Sequence, residues 1–201
     1  LELRRPEEAR RLLLPVIARD PADGWALALL AEASRQRGDD ISARALVRQA
    51  AASAPDDDAV LFLCGSVAQD LGDLEDARAW IERGLALDPT SAQGRNLLAI
   101  TLMEAGDPDT ARMHVTAALS GDPEDPTLMN TLGAAAATQG RSASAMVPWV
   151  RALGIAPDLP PLLVNVGLSR LDAGDLRRGS RLLTRAIVLD PRWVDITVVT
   201  V

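Results

Sequence analysis

Residues Asp58–Pro89 read DAVLFLCGSVAQDLGDLEDARAWIERGLALDP. Apolar residues recur three and four apart on either side of a central Gly-Asp pair, and an Asp-Pro closes the stretch. This pattern predicts two amphipathic helices joined by a tight turn. The closing proline has counterparts at Pro21, Pro55, Pro123, Pro157 and Pro191, each at a multiple of 34 residues from Pro89. The turn glycine keeps the same step as Gly38, Gly72, Gly106, Gly140 and Gly174, and a small residue follows five later as Ala43, Ala77, Ala111, Ala145 and Gly179. A register held without insertion or deletion means one supersecondary unit repeated along the chain, and repetition overrides the one or two globular domains that 201 residues would otherwise suggest.

The register divides the chain into five complete units, 24–57, 58–91, 92–125, 126–159 and 160–193. A half unit, 1–23, precedes them. In it Pro6 stands where the first turn of a helix tolerates proline, so Pro6–Arg19 reads as a second helix without its first. Residues 194–201 lie in register with a sixth first helix but are short and β-branched, which suggests the start of a truncated or capping helix. Because the chain begins at Leu1, a leader or neighbouring region is expected to have preceded it. Each turn glycine is expected in a left-handed C-terminal cap. Asp39, Asp73, Asp107 and Asp175 are expected to cap the second helices, with Arg141 the exception. Asp56–Asp58, Ser91 and Asp125 supply capping oxygens for first helices.

This pattern resembles the tetratricopeptide repeat family. In the second unit the residues that carry the resemblance are Leu61, Cys64, Gly65, Ala68, Ala77, Ile81, Gly84 and Pro89. The chain departs from the family where aromatics are usual, having no tyrosine and one phenylalanine, with Leu, Ala or Val in most of those slots. The RNA-reading pentatricopeptide family is a rival, but its step is 35 and the closing proline is not typical of it. The resemblance implies an all-α, right-handed superhelical solenoid of 34-residue helix-turn-helix repeats and a non-catalytic protein-binding role.

Composition narrows the function classes. Forty-eight per cent hydrophobic residues suffices for burial and argues against disorder. The net charge of −7 removes the attraction to phosphate backbones that a general nucleic-acid binder needs, so no nucleic-acid partner is expected. All 21 positive side chains are arginine, which together with abundant alanine suggests a bacterial source. No apolar run approaches the roughly 20 residues that span a bilayer.

The inventory for catalysis is thin. His114 is the only histidine, which excludes a multi-histidine metal site and a two-histidine acid–base pair, and between Met113 and Val115 of a second helix it reads as a partly buried or surface residue rather than a catalytic base. Cys64, alone, allows no disulfide and occupies a slot where the repeat buries a side chain. No glycine-rich phosphate loop is present, and Asp56–Asp58 is better read as caps and solvated charge than as a cation site. No enzymatic activity, metal or cofactor is therefore expected.

What remains is surface. In the resembled family the first helices line a concave groove that holds a segment of another protein. Its slots fall here on Trp25, Leu29 and Glu32, then Phe62, Leu63, Ser66 and Gln69, then Asn96, Leu97, Ile100 and Met103, then Asn130, Thr131 and Ala134, then Val164, Asn165 and Leu168. From these the expected binding residues are Phe62, Leu63, Asn96, Leu97, Ile100, Asn130, Thr131, Val164, Asn165 and Leu168. The basic clamp by which some members seize a C-terminal carboxylate is missing from them. Asn96, Asn130 and Asn165 look like a weak form of the asparagine ladder in members fused to glycosyltransferases; either they hydrogen-bond a partner's backbone or they solvate the groove and cap turns. Such a floor, apolar with neutral amides, implies binding that salt changes little.

The leading expectation is a scaffold that binds a protein or peptide in this groove. The alternatives are the substrate-recruiting arm of a larger enzyme, such as a glycosyltransferase, and a bacterial pilus, secretion or polysaccharide-export assembly factor. Apolar residues at the two ends also predict association of copies end to end.

Overall fold

The structure, a computed structural model, describes residues 5–193. The expectations for residues 194–201 lie outside them. Eleven α-helices follow one another among the described residues, with no strand. They are α1 (Pro6–Arg19), α2 (Gly24–Gln36), α3 (Asp40–Ser53), α4 (Asp58–Asp70), α5 (Leu74–Leu87), α6 (Ala92–Glu104), α7 (Pro108–Leu119), α8 (Pro126–Thr138), α9 (Ser142–Ile155), α10 (Pro160–Asp172) and α11 (Leu176–Leu189). A short 3₁₀ turn, Pro191–Trp193, follows. The half repeat's expected helix is α1, with its proline in the first turn.

The turns form for the reason the spacing predicts. Gly38, Gly72, Gly106, Gly140 and Gly174 all have φ between 70 and 86°, and among the described residues no non-glycine has positive φ. At Gly72 the amide donates to the Gln69 carbonyl at 2.8 Å, and the Asp73 amide reaches back to Ala68 at 2.9 Å. These are the two bonds of a Schellman cap, which satisfy carbonyls that the end of the helix leaves open. Nothing lies within 4 Å of where a Cβ on Gly72 would sit, so the need for glycine is purely a backbone one. Gly72→Val is therefore expected to cost about 1 kcal/mol or more, read as a lower urea midpoint with the helical spectrum retained.

Capping follows the expected residues with one correction. Asp39, Asp107 and Asp175 accept from the amides of Ser42, Thr110 and Arg178, and Asp57, Ser91 and Asp125 do the same for first helices. Asp73 stands at the cap position of α5 but makes no side-chain cap bond. Its carboxylate is drawn instead to Arg44, whose Nε donates to it at 2.9 Å while Nη2 donates to the Leu71 carbonyl at 2.7 Å. A charge-assisted pair to the neighbouring hairpin outcompetes a neutral amide donor.

The chain falls into two compact units, Leu1–Gly106 and Asp107–Val201. In the first, α2 packs on α3 and α4 on α5 as hairpins, and the first helices also meet one another, α2 against α4 and α4 against α6. In the second, α8 pairs with α9 and α10 with α11, and α8 meets α10. Within each unit the first helices thus form a layer, and the solenoid arrangement follows from stacking hairpins whose apolar faces cannot be buried alone.

Hairpin packing is a matter of matched volumes. Ala43, Ala77, Ala111 and Ala145 have no exposed surface, and Gly179 in the same slot is also buried. A second match runs between helices. A Cβ on Gly65 would lie 2.4 Å from Ile81, one on Gly133 2.3 Å from Trp149, and one on Gly167 2.9 Å from Leu183. Where the first helix carries Ala31 instead, the partner position holds the smaller Val47, and both are buried in one cluster.

Candidate functional site

In the first unit the first-helix layer forms a cleft of about 280 Å³ lined by Trp25 of α2, Asp58, Phe62, Leu63 and Ser66 of α4, and Ser91, Gln93 and Leu97 of α6 or its cap. Five of the expected groove slots, Trp25, Phe62, Leu63, Ser66 and Leu97, are brought together here, and Phe62, Leu63 and Leu97 are among the expected binding residues. Trp25 lines the cleft with 43% of its surface exposed. Asp58 and Gln93 had no place among the expected groove slots. Each lies four residues before a floor residue, Phe62 and Leu97, on the same helical stripe, so the periodicity does place them.

Phe62 is mostly a packing residue. It is 3% exposed because its ring lies against Gly84 and Gly94: a Cβ on either glycine would come within 2.5 Å of a ring carbon. Leu63 is nearly as buried, whereas Leu97, Ile100 and Asn96 keep part of their surface. The Asn96 Oδ1 is buried and has no donor among the described residues.

Beyond the cleft, the C-terminal halves of these helices are tied by polar side chains. Glu32, expected to face the groove, is only 3% exposed. Arg35 donates to both of its carboxylate oxygens at 2.8 Å, Gln36 donates as well, and Arg35 reaches Asp70 of α4 at 3.2 Å. The hydrogen bond to Glu32, opposed by burial and aided by Asp70, raises the Arg35 pKa. Gln69 of α4 donates in turn to Glu104 of α6 at 3.1 Å. Burying a carboxylate this far requires such a paired, hydrogen-bonded partner.

In the second unit Asn130 and Asn165 are in contact, the Asn165 Nδ2 donating to the Asn130 Oδ1 at 2.9 Å. The Trp149 indole N–H donates to the Asn130 backbone carbonyl at 3.0 Å. The amides therefore link α8 to α10, and their second groups, the Asn130 Nδ2 and Asn165 Oδ1, are left to other partners. Thr131 and Val164 are 4% and 3% exposed and belong to the packing between helices. Thr131 spends its hydroxyl on the Thr127 carbonyl at 3.2 Å. Leu168 is partly buried against the cluster of Leu163, Val164, Leu183 and Ala186.

Among the described residues no group of three or more His, Cys, Asp or Glu side chains could hold a metal ion, and no helix is long and apolar enough to cross a membrane. Cys64 is wholly buried with its Sγ 3.6 Å from the Val47 carbonyl, and burial pushes the thiol up to about 12. Because the thiolate is the reactive form, Cys64 is expected to resist thiol reagents near neutral pH until the chain is denatured. Prompt labelling of the folded protein would contradict its placement.

A sequence profile of the tetratricopeptide repeat family matches residues 1–58 and 96–160, and a second tetratricopeptide repeat profile matches 41–100. No curated protein matches the chain. Among solved structures, a thermophilic tetratricopeptide-repeat protein of Thermus thermophilus is similar with a TM-score of 0.75 at 19% identity, over 88% of this chain and 96% of that one. PilW, a type IV pilus biogenesis factor, is similar with a TM-score of 0.73 at 16% identity, over 94% of this chain and 88% of PilW. YrrB, described as a repeat protein with an unusual peptide-binding site, gives 0.57 at 16% identity over 89% and 92%. With its helix pairs, left-handed glycine turns and matched profiles, the chain belongs to the tetratricopeptide repeat family.

Proposed function

We propose that this chain is a non-catalytic interaction scaffold whose first-helix faces hold a segment of a partner protein. The observation that carries this reading is the cleft of α2, α4 and α6, lined by a partly exposed Trp25 together with Phe62, Leu63 and Leu97. An exposed aromatic beside buried apolar side chains offers contact area at low entropic cost, as peptide-binding surfaces require. The amide groups that Asn130 and Asn165 leave open offer the second unit a way to hold a backbone. YrrB, described with a peptide-binding site, and PilW, a pilus biogenesis factor, suit a scaffold on this fold.

Panning a random-peptide library on the immobilised protein tests this, with the selected peptides mapped by amide chemical-shift changes. Shifts should gather on α2, α4 and α6 or on α8 and α10. Shifts confined to the second helices α3, α5, α9 and α11 would refute the groove.

Self-association is a second reading, supported by exposed apolar side chains on α1 and on α11. Leu12 of α1 is 68% exposed, and Val188 and Leu176 of α11 are 77% and 65% exposed. Light scattering over a concentration series should show species above the monomer, and a strict monomer at high concentration would rule this out.

A further inference from the structure

We infer that the cleft of α2, α4 and α6 selects a partner segment by a cationic side chain, an arginine or a lysine, held between the Trp25 indole and the Asp58 carboxylate. This rests on the docking reading above and specifies its occupant. Trp25 offers an accessible ring face or edge, and the negative face of an indole attracts a guanidinium or ammonium group. Asp58 lines the same cleft, is partly buried, and takes part in no ion pair among the described residues. Capping does not account for it, because Asp57 already receives the Val60 amide at 3.0 Å.

The surrounding charge points the same way. Among the described residues no basic side chain lines the cleft. The first helices of this unit carry two bases, and both are occupied: Arg35 by Glu32 and Asp70, and Arg95 by the Pro89 carbonyl at 2.8 Å. Asp70 and Glu104 sit further along the same helices. Residues 1–106 hold 18 of the 28 acidic side chains and 12 of the 21 arginines, a net charge of −6. An incoming anion would be repelled and a neutral segment would leave Asp58 desolvated without a partner, whereas a cation satisfies it. Binding in this cleft is then salt-sensitive, unlike the neutral groove that the sequence suggested.

Three capped tripeptides test this: Leu-Arg-Leu, the same peptide with neutral citrulline in place of arginine, and Leu-Glu-Leu, where the leucines address Leu63 and Leu97. Titrations are followed by the side-chain indole resonance of Trp25, identified by its loss in Trp25→Leu. The arginine peptide should shift that resonance saturably, the citrulline peptide should bind about tenfold more weakly, and the glutamate peptide should be without effect. Added salt should weaken only the arginine peptide. Asp58→Asn, which leaves the Asp57 cap in place, should bring the arginine and citrulline affinities close together. Equal affinity of arginine and citrulline peptides at Trp25 would overturn the cationic selection while leaving the docking reading standing. A stationary Trp25 resonance with all three peptides would also overturn it, and library peptides that map to the second helices would remove the docking reading itself.

Discussion

Trp149→Ala is expected to lower the stability of the second unit by about 3–5 kcal/mol, among the largest losses a single substitution could produce in this chain. Trp149 is 3% exposed and packs with Met129, Ala136, Ala145, Ala152, Leu162 and Val166. Truncation removes an apolar surface that alanine-rich neighbours have no bulk to replace, so the cavity stays open. The indole N–H also leaves the Asn130 carbonyl, to which it donates at 3.0 Å. Trp149→Phe, which keeps most of the ring, should lose markedly less. Urea unfolding followed by circular dichroism checks both, and a loss under about 1 kcal/mol for the alanine variant would mean that Trp149 does not anchor α8, α9 and α10.

The sequence discloses this fold readily because its signals are local. A glycine needed at positive φ, an oxygen at the start of a helix and an apolar stripe each act within a turn or two of their own position, and the 34-residue step of the glycines makes them visible together. The site is less legible because burial on a first helix is settled by residues of its partner helix and of the neighbouring hairpin, distant in sequence. Phe62 and Leu97 both read as groove residues from the sequence. Phe62 disappears inward only because position 84, 22 residues later in the chain, and position 94 both lack a side chain. Val164 and Thr131 were taken under in the same way by neighbouring helices, leaving Asn130 and Asn165 at the surface of the layer.

Long charged side chains are harder still to read. Arg44 reaches from α3 to Asp73 and displaces an expected cap, and Arg35 gathers Glu32 and Asp70 from two helices. No period in the sequence announces either contact, since an arginine's reach covers several equally spaced acids. Trp25 and Asp58 belong to the same class. Each is explicable alone, one as a stray aromatic and the other as a first-turn acid, and only the packing of α2 against α4 puts both on one cleft.

The volume match between hairpin helices yields the second large effect. Gly133→Ala is expected to cost about 1–3 kcal/mol, because the new Cβ would fall 2.3 Å from the Trp149 indole nitrogen, and moving a ring buried among Met129, Ala145, Ala152 and Leu162 disturbs its packing. Alanine is otherwise the better helix former than glycine by about 1 kcal/mol, so the sign of the change separates the clash from propensity. The clash belongs to the pair rather than to either residue. In a Trp149→Leu background, where the second helix carries the side chain that already faces Gly167 at position 183, the added methyl should cost little or even stabilise. The double-mutant cycle should therefore show coupling of about 0.5–3 kcal/mol, with the double variant more stable than the sum of its singles. Strict additivity in urea midpoints would show that Gly133 is there for a reason other than the ring, and the matched volumes of Gly65 with Ile81 and Gly167 with Leu183 would then need a different explanation.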